Sequence, residues 1–175
     1  MKHLMIAMLF AFITPFANAD SNDHPMSHII GTEIELNTLG HTIAGKVGSK
    51  LIYGNVDENG HQTSKLKVKT LVSEFETEFA HRDGVWGGQL SDGNRSLDAT
   101  FLRLDRENAT YYISFGGEEY RVRVEADDFQ NNHFINPTYI LEKDGEDIRA
   151  QMMEGQACYM YSLHLIFMIF GTFLF

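Results

Sequence analysis

The sequence predicts an all-β domain, an antiparallel meander that closes into a small barrel or forms a two-sheet sandwich. Three observations support this fold class. Apolar and polar residues alternate with period two, turn residues recur at short intervals, and the segments between them lack the pattern of an amphipathic helix. The spacing indicates roughly eight or nine strands within residues 32–154.

The start of the chain has the three-part layout of a secretory signal peptide. A basic beginning is followed by an apolar run at residues 4–16 and by the small residues of Ala17-Asn18-Ala19. That run is too short for a helix that spans a membrane. We therefore predict that residues 1–19 are cleaved, that the mature chain begins at Asp20, and that the protein is located outside the cytoplasm, in the periplasm or cell envelope. Residues 20–31 are expected to form an irregular polar leader.

The first half of the domain contains strand patterns separated by short turns. The segments HTIAGKVG and KLIYGNV are separated by Gly48-Ser49, and the turn DENG follows them. In KLKVKTLVSEFETEF the apolar residues change parity near Leu71-Val72, which predicts a bulge or a break in the strand.

The second half continues the same alternation. VWGGQL, ATFLRLD and TYYISF are separated by the turn SDGN and the loop RENA. In EYRVRVEA, Val122 and Val124 alternate with Arg121 and Arg123, which is typical of a half-buried strand with one solvated face. HFINPTYIL and EDIRAQM are expected to form the last strand pair, joined by the turn EKDGE.

The charge balance excludes one class of partner. The net charge is −10 and the pI is about 5.1, with acidic residues scattered along the chain. Because such a surface repels a phosphate backbone, we expect no nucleic acid partner. The single cysteine, Cys158, cannot form an intramolecular disulfide, so the fold must be stabilised by its own packing, by a ligand or by a membrane.

One loop has the oxygen-rich spacing of a calcium site. In DGNRSLD, oxygen-bearing side chains recur at Asp92, Asn94, Ser96 and Asp98, which are the weak candidates for a metal site. The twelfth position is Arg103, where a calcium loop needs a bidentate glutamate. A polar hairpin turn is therefore the preferred interpretation, and no cofactor is predicted.

The segment NNHFINPTY is the densest group of polar side chains and is a candidate binding cleft. With the single tryptophan, the candidate binding residues are Asn131, Asn132, His133, Asn136, Tyr139 and Trp86. Amides, imidazole and phenol give directional hydrogen bonds to a ligand. The alternative is structural, with asparagines in turns and the aromatic rings in the core.

The sequence gives little support to catalysis. It contains no G-x-S-x-G motif, and Cys158 lies between Ala157 and Tyr159 in an apolar run. Apolar burial raises the pKa of a thiol, so an inert cysteine is expected there. We therefore favour a role in binding or structure over an enzyme and predict no catalytic residue.

The final segment, ACYMYSLHLIFMIFGTFLF, has three interpretations. As a helix of nineteen uncharged residues it has the length of a membrane anchor, which is the preferred interpretation and would make a membrane the partner. It can instead be an element buried in the domain. The third interpretation is a closing strand of an eight-stranded outer-membrane barrel, for which its apolar residues do not alternate. An anchor predicts that a chain ending after Gly155 is soluble and folded.

Together these features predict an exported envelope protein with a non-catalytic binding or structural role. Its partner, a protein or a small molecule, is left open by the sequence. One alternative is a carrier that encloses a small apolar ligand inside its barrel. A second alternative is the eight-stranded outer-membrane barrel.

Overall fold

Twelve antiparallel strands form a closed barrel, which confirms the all-β class and the barrel alternative. The computed structural model describes residues 26–57 and 61–175. The predicted signal peptide, residues 1–19, and the start of the leader, residues 20–25, lie outside the described residues. The barrel strands are β1 (Ser27–Gly31), β2 (Ile34–Leu39), β3 (Thr42–Val47), β4 (Lys50–Val56), β5 (Thr63–Lys69), β6 (Glu74–Arg82), β7 (Val85–Ser91), β8 (Ser96–Asp105), β9 (Thr110–Phe115), β10 (Glu118–Glu125), β13 (Thr138–Lys143) and β14 (Glu146–Met153).

A small second sheet and a helix complete the described fold. The sheet contains β11 (Asp128–Gln130), β12 (His133–Ile135) and β15 (Gln156–Cys158), in the order β11-β12-β15. The helical segment contains α1 (Tyr159–Ile166), a π-helical turn (Phe167–Gly171) and α2 (Thr172–Leu174). Residues 159–174 are called the plug helix below.

The barrel is a meander that closes between its first and last strands. Each strand pairs with its neighbour in the chain, β10 pairs with β13 across the inserted small sheet, and β1 pairs with β14. Ile29 of β1 lies opposite Leu36 on one side and Met152 on the other. The expectation of an irregular leader is therefore wrong for Ser27–Gly31, where Ser27 and Ile29 are buried and His28 is exposed.

The sequence-based count of eight or nine strands is too low, because one hairpin was taken as a single strand and because β1 lies in the segment expected to be irregular. KLKVKTLVSEFETEF contains β5 and β6, and the expected break at Leu71-Val72 is the turn between them. Twelve strands also differ from the eight of the outer-membrane alternative. The outward positions of β5 are lysines and those of β6 include glutamates, where positions that face lipid would be apolar.

The plug helix lies inside the barrel. Every residue from 161 to 172 is buried, and the Phe167 ring stacks on Phe79 of β6 with centroids 4.6 Å apart. A helix enclosed on all sides needs apolar residues on every face, which explains the uninterrupted apolar run. In this structure the segment is thus the buried element, and the preferred interpretation as an anchor is corrected. It lies in the interior in which the carrier alternative places its ligand, and a closed barrel stays compatible with a carrier or binding role.

Among the described residues, no helix combines the length and the apolar character that crossing a membrane requires.

Four polar contacts fix the plug helix against the wall. The Tyr111 hydroxyl donates to the Tyr159 carbonyl at 2.9 Å, and the hydroxyls of Tyr139 and Ser162 lie 3.0 Å apart. His164 Nδ1 is 2.8 Å from the Ser64 hydroxyl, and its Nε2 is 2.8 Å from the His61 carbonyl. Because an unsatisfied buried polar group is costly, these pairs favour one axial position of the helix.

Gly54 marks the closest approach between strand β4 and the plug helix. A Cβ atom there would lie 2.3 Å from Met168 Sδ and 2.8 Å from Ile43 Cγ2. We expect Gly54→Leu to lower the free energy of unfolding by about 1–3 kcal/mol, because it overpacks the core. Met168→Ala alone should lower it by about 2–5 kcal/mol through a cavity, and the double variant should be less destabilised than the sum.

Urea denaturation of the four proteins in this cycle measures the coupling. Asn55→Leu is the matched control, since Asn55 is the next residue on β4 and faces solvent. Strict additivity of Gly54→Leu and Met168→Ala would contradict the contact between this strand and the helix.

Candidate functional site

The helix N-terminus lies at one end of the barrel, among polar side chains. Cys158 caps the plug helix, and its Sγ accepts a hydrogen bond from the Tyr161 amide at 3.4 Å. The same sulfur lies 3.7 Å from His61 Nδ1, and the rings of His61 and His41 are 5.0 Å apart. Cys158 is only partly buried, so the expected deep apolar setting is corrected. Its observed task is to cap the helix, and the described residues contain no group of three His, Cys, Asp or Glu side chains arranged for a metal.

The predicted calcium loop is a hairpin turn between β7 and β8. Asp92 Oδ1 accepts hydrogen bonds from the amides of Asn94 and Arg95, at 2.9 and 2.8 Å. These backbone hydrogen bonds hold the pKa of Asp92 below its usual value. Asp98 lies on β8 and accepts from Gln89 Nε2 at 2.5 Å, and Ser96 is exposed at the start of that strand. Two of the four predicted ligands, Asp92 and Asp98, are thus used by the turn and the sheet.

The asparagines of the predicted binding cluster occupy turns. Asn131 and Asn132 have φ values of 51° and 65° and join β11 to β12. Asn136 has a φ of 48°, donates to Asp127 Oδ2 at 2.8 Å and accepts from the Gly155 amide at 3.0 Å. Asparagine tolerates this left-handed region better than most residues. The amides therefore shape the loop that carries the small sheet.

The other three candidates do not join them in a cleft. His133 Nδ1 lies 2.9 Å from the Asn131 carbonyl within the same hairpin. Tyr139 is fully buried against the plug helix, and burial raises the pKa of its hydroxyl. Trp86 packs on Phe79 and on His164, with ring centroids 6.1 and 5.5 Å apart.

Sequence reasoning missed a basic surface on the barrel wall. The outward side chains of β3, β4 and β5 form what we call the lysine face. Its members are Thr42, Ala44, Lys46, Leu51, Tyr53, Asn55, Lys65, Lys67 and Lys69. None of these three strands contains an aspartate or glutamate, although the chain has 24 acidic residues.

Antiparallel pairing arranges the lysine face in three rows. Each row has one residue from each strand, and neighbouring rows are two residues apart along a strand. The rows are Lys46-Leu51-Lys69, Ala44-Tyr53-Lys67 and Thr42-Asn55-Lys65. Tyr53 lies at the centre and is 50% exposed.

The charge of the lysine face is only partly compensated. Lys67 Nζ lies 2.5 Å from Glu74 and 4.0 Å from Glu76, and the contact with Glu74 raises the pKa of Lys67. Glu78, on the same neighbouring strand, pairs with Arg82. Within residues 26–57 and 61–175, no ion pair involves Lys46, Lys65 or Lys69. Each of the three nevertheless lies across from a glutamate of a neighbouring strand: Lys46 from Glu35, Lys65 from Glu78 and Lys69 from Glu74.

One signal in the sequence could have indicated this surface. Five of the seven lysines lie between residues 46 and 69, and residues 36–56 contain no acidic residue. The alternation alone indicated only strands with a solvated face. Lys46 and Lys69 lie in one row because both pair with Leu51 of β4, and this depends on the strand register.

Comparison with known proteins adds no relative: no family model, curated protein or solved structure matches this chain.

Proposed function

We propose that this chain is an exported, envelope-located protein with a non-catalytic binding role, and that it binds an anionic ligand on the lysine face. The N-terminal sequence pattern supports export. One observation carries the assignment of the ligand class: four lysines and no acidic residue on the outward faces of three adjacent strands of an acidic chain. The plug helix lies in the barrel interior, whereas the lysine face is open to solvent.

The overall negative charge does not oppose such binding at short range. At physiological ionic strength the Debye length is about 8 Å, so an anion on the lysine face interacts mainly with the charges beside it. Lys46, Lys65 and Lys69 supply positive charge there, and glutamates border the face on both sides: Glu35 on β2 and Glu74, Glu76 and Glu78 on β6. The acidic border favours ligands that stay within the three strands.

The test measures binding of polyphosphate, a simple polyanion, to the chain that begins at Asp20. We expect binding that weakens steeply as salt increases, because each neutralised ligand charge releases a counterion. The triple variant Lys46→Gln, Lys65→Gln and Lys69→Gln should bind about tenfold more weakly or worse and should reduce the salt slope. Calorimetry at 20 and 150 mM salt provides both quantities.

A matched triple variant controls for net charge. Lys143→Gln, Arg103→Gln and Arg121→Gln remove three positive charges from other walls, where each belongs to an exposed ion pair of little energetic value. This control should bind as the unmodified chain does. Equal weakening by both triple variants, or no binding at low salt, would rule out the lysine face as the site.

A further inference from the structure

We infer that the ligand is an acidic polysaccharide, with Tyr53 stacking on a sugar ring and Lys65 and Lys69 binding its acidic groups. This inference rests on the proposed function, because it names the ligand of the same surface. Three features of the lysine face support it: an exposed aromatic ring, polar groups that both donate and accept hydrogen bonds, and a row of lysines along one strand.

The ring of Tyr53 is presented to solvent at the centre of the face. Half of the Tyr53 residue is exposed, and the residue paired with it on β3 is the small Ala44. The barrel core does not need this side chain, since β4 contributes Ile52, Gly54 and Val56 to the interior. An open aromatic face suits the C–H groups on one side of a sugar ring, whereas a bare phosphate chain offers it no apolar surface.

The neighbouring polar groups match sugar hydroxyls. Asn55 Nδ2 donates to the Thr42 hydroxyl at 3.3 Å, which keeps both side chains beside the tyrosine. The Asn55 amide oxygen accepts hydrogen bonds, and lysine ammonium groups only donate them. A ligand with hydroxyl donors as well as anionic acceptors therefore uses the whole surface, which a ligand with acceptors alone does not.

The lysines of β5 favour a chain over a single anion. Lys65, Lys67 and Lys69 alternate along one strand, so successive lysine Cα atoms are about 6.7 Å apart and the row spans roughly 13 Å. Lys67 pairs with Glu74, whereas Lys65 and Lys69, at the two ends of the row, lie across from glutamates but form no ion pair within 4.0 Å. A polymer with an acidic group on each repeat can contact Lys65 and Lys69 at the same time. Because its acidic groups are linked, binding at one lysine raises the effective concentration of acidic groups at the other.

The experiment compares three polymers at equal residue concentration: polygalacturonate, polyphosphate and uncharged dextran. We expect polygalacturonate to bind at least tenfold more tightly than polyphosphate, and dextran not to bind. Tyr53→Ala should reduce that preference to about twofold or less, and Tyr53→Phe should retain it because stacking uses the ring. Tyr112→Ala, at another partly exposed tyrosine on β9, should leave the preference unchanged.

The outcomes separate this inference from the proposed function. If polygalacturonate and polyphosphate bind equally and Tyr53→Ala changes neither, the ligand is not an acidic polysaccharide. The proposed anion site on the lysine face would still stand. Binding to phosphatidylglycerol vesicles without binding to polygalacturonate would also overturn the acidic polysaccharide and indicate a lipid surface. Absence of binding to every anionic probe would overturn both. Circular dichroism of each variant verifies that the barrel is intact.

Discussion

A chain that ends after Gly155 should not fold. The deletion removes β15 and the plug helix, and with them nine large apolar side chains buried in the core. These are Tyr161, Leu163, Leu165, Ile166, Phe167, Met168, Ile169, Phe170 and Phe175. Each contributes about 1.5–3 kcal/mol of burial, and the whole free energy of unfolding of a typical protein is only about 5–15 kcal/mol. We expect no near-UV circular dichroism signal and no cooperative thermal transition.

Two variants of the full chain make this result specific. Phe170→Ala, inside the barrel, should lower the free energy of unfolding by about 3–5 kcal/mol and keep a cooperative transition. Leu71→Asp with Val72→Asp should change it little, because these side chains are 97% and 94% exposed in the β5–β6 turn. A truncated chain that melts like the full one would restore the membrane-anchor interpretation suggested by the sequence.

Acid should destabilise the barrel through His164. Burial, which disfavours the charged imidazolium, lowers the pKa of His164 to about 4 in the folded chain, from its ordinary value of 6.5. The unfolded chain therefore binds the proton first as pH falls. The stabilisation is complete above pH 6.5 and decreases until about pH 4, by roughly 3 kcal/mol at 1.4 kcal/mol per pKa unit.

Urea denaturation between pH 7.5 and pH 4 measures this loss. In His164→Gln the amide can still contact the Ser64 hydroxyl and the His61 carbonyl, but it does not titrate. The difference in stability between the unmodified chain and this variant should shrink by roughly 3 kcal/mol towards pH 4. His81→Gln, at an exposed position, controls for histidine removal. A constant difference across the range would show that His164 is not buried in neutral form.

The strands were predictable because their signal is local. Alternation with period two in KLKVKT or YRVRVE reports one buried face, whatever the rest of the chain does. The number of strands was not predictable, because β1 is only five residues long and adjoins a polar segment. The plug helix was ambiguous for a physical reason: a helix surrounded by lipid and a helix surrounded by a barrel both need apolar residues on every face.

The lysine face could not be predicted from spacing, because it depends on strand register. NNHFINPTY was predicted as a binding cleft because its polar residues are close in sequence, but Asn131, Asn132 and Asn136 adopt the positive φ values of turn residues. The lysine face gathers Lys46 and Lys69 through two strand pairings. No local pattern reports that juxtaposition, since it depends on the register of three strands.

The position of the plug helix in the chain also sets the timing of folding. Ribosomes complete every strand of the barrel before they reach residues 159–174, and the closing pair β1-β14 joins segments more than a hundred residues apart. At about 5–20 residues per second, synthesis of 175 residues takes roughly 10–35 s, during which the core lacks its central element. Contacts this distant in sequence form slowly. The nascent polypeptide is therefore expected to reach its native state only after residues 159–174 have been synthesised.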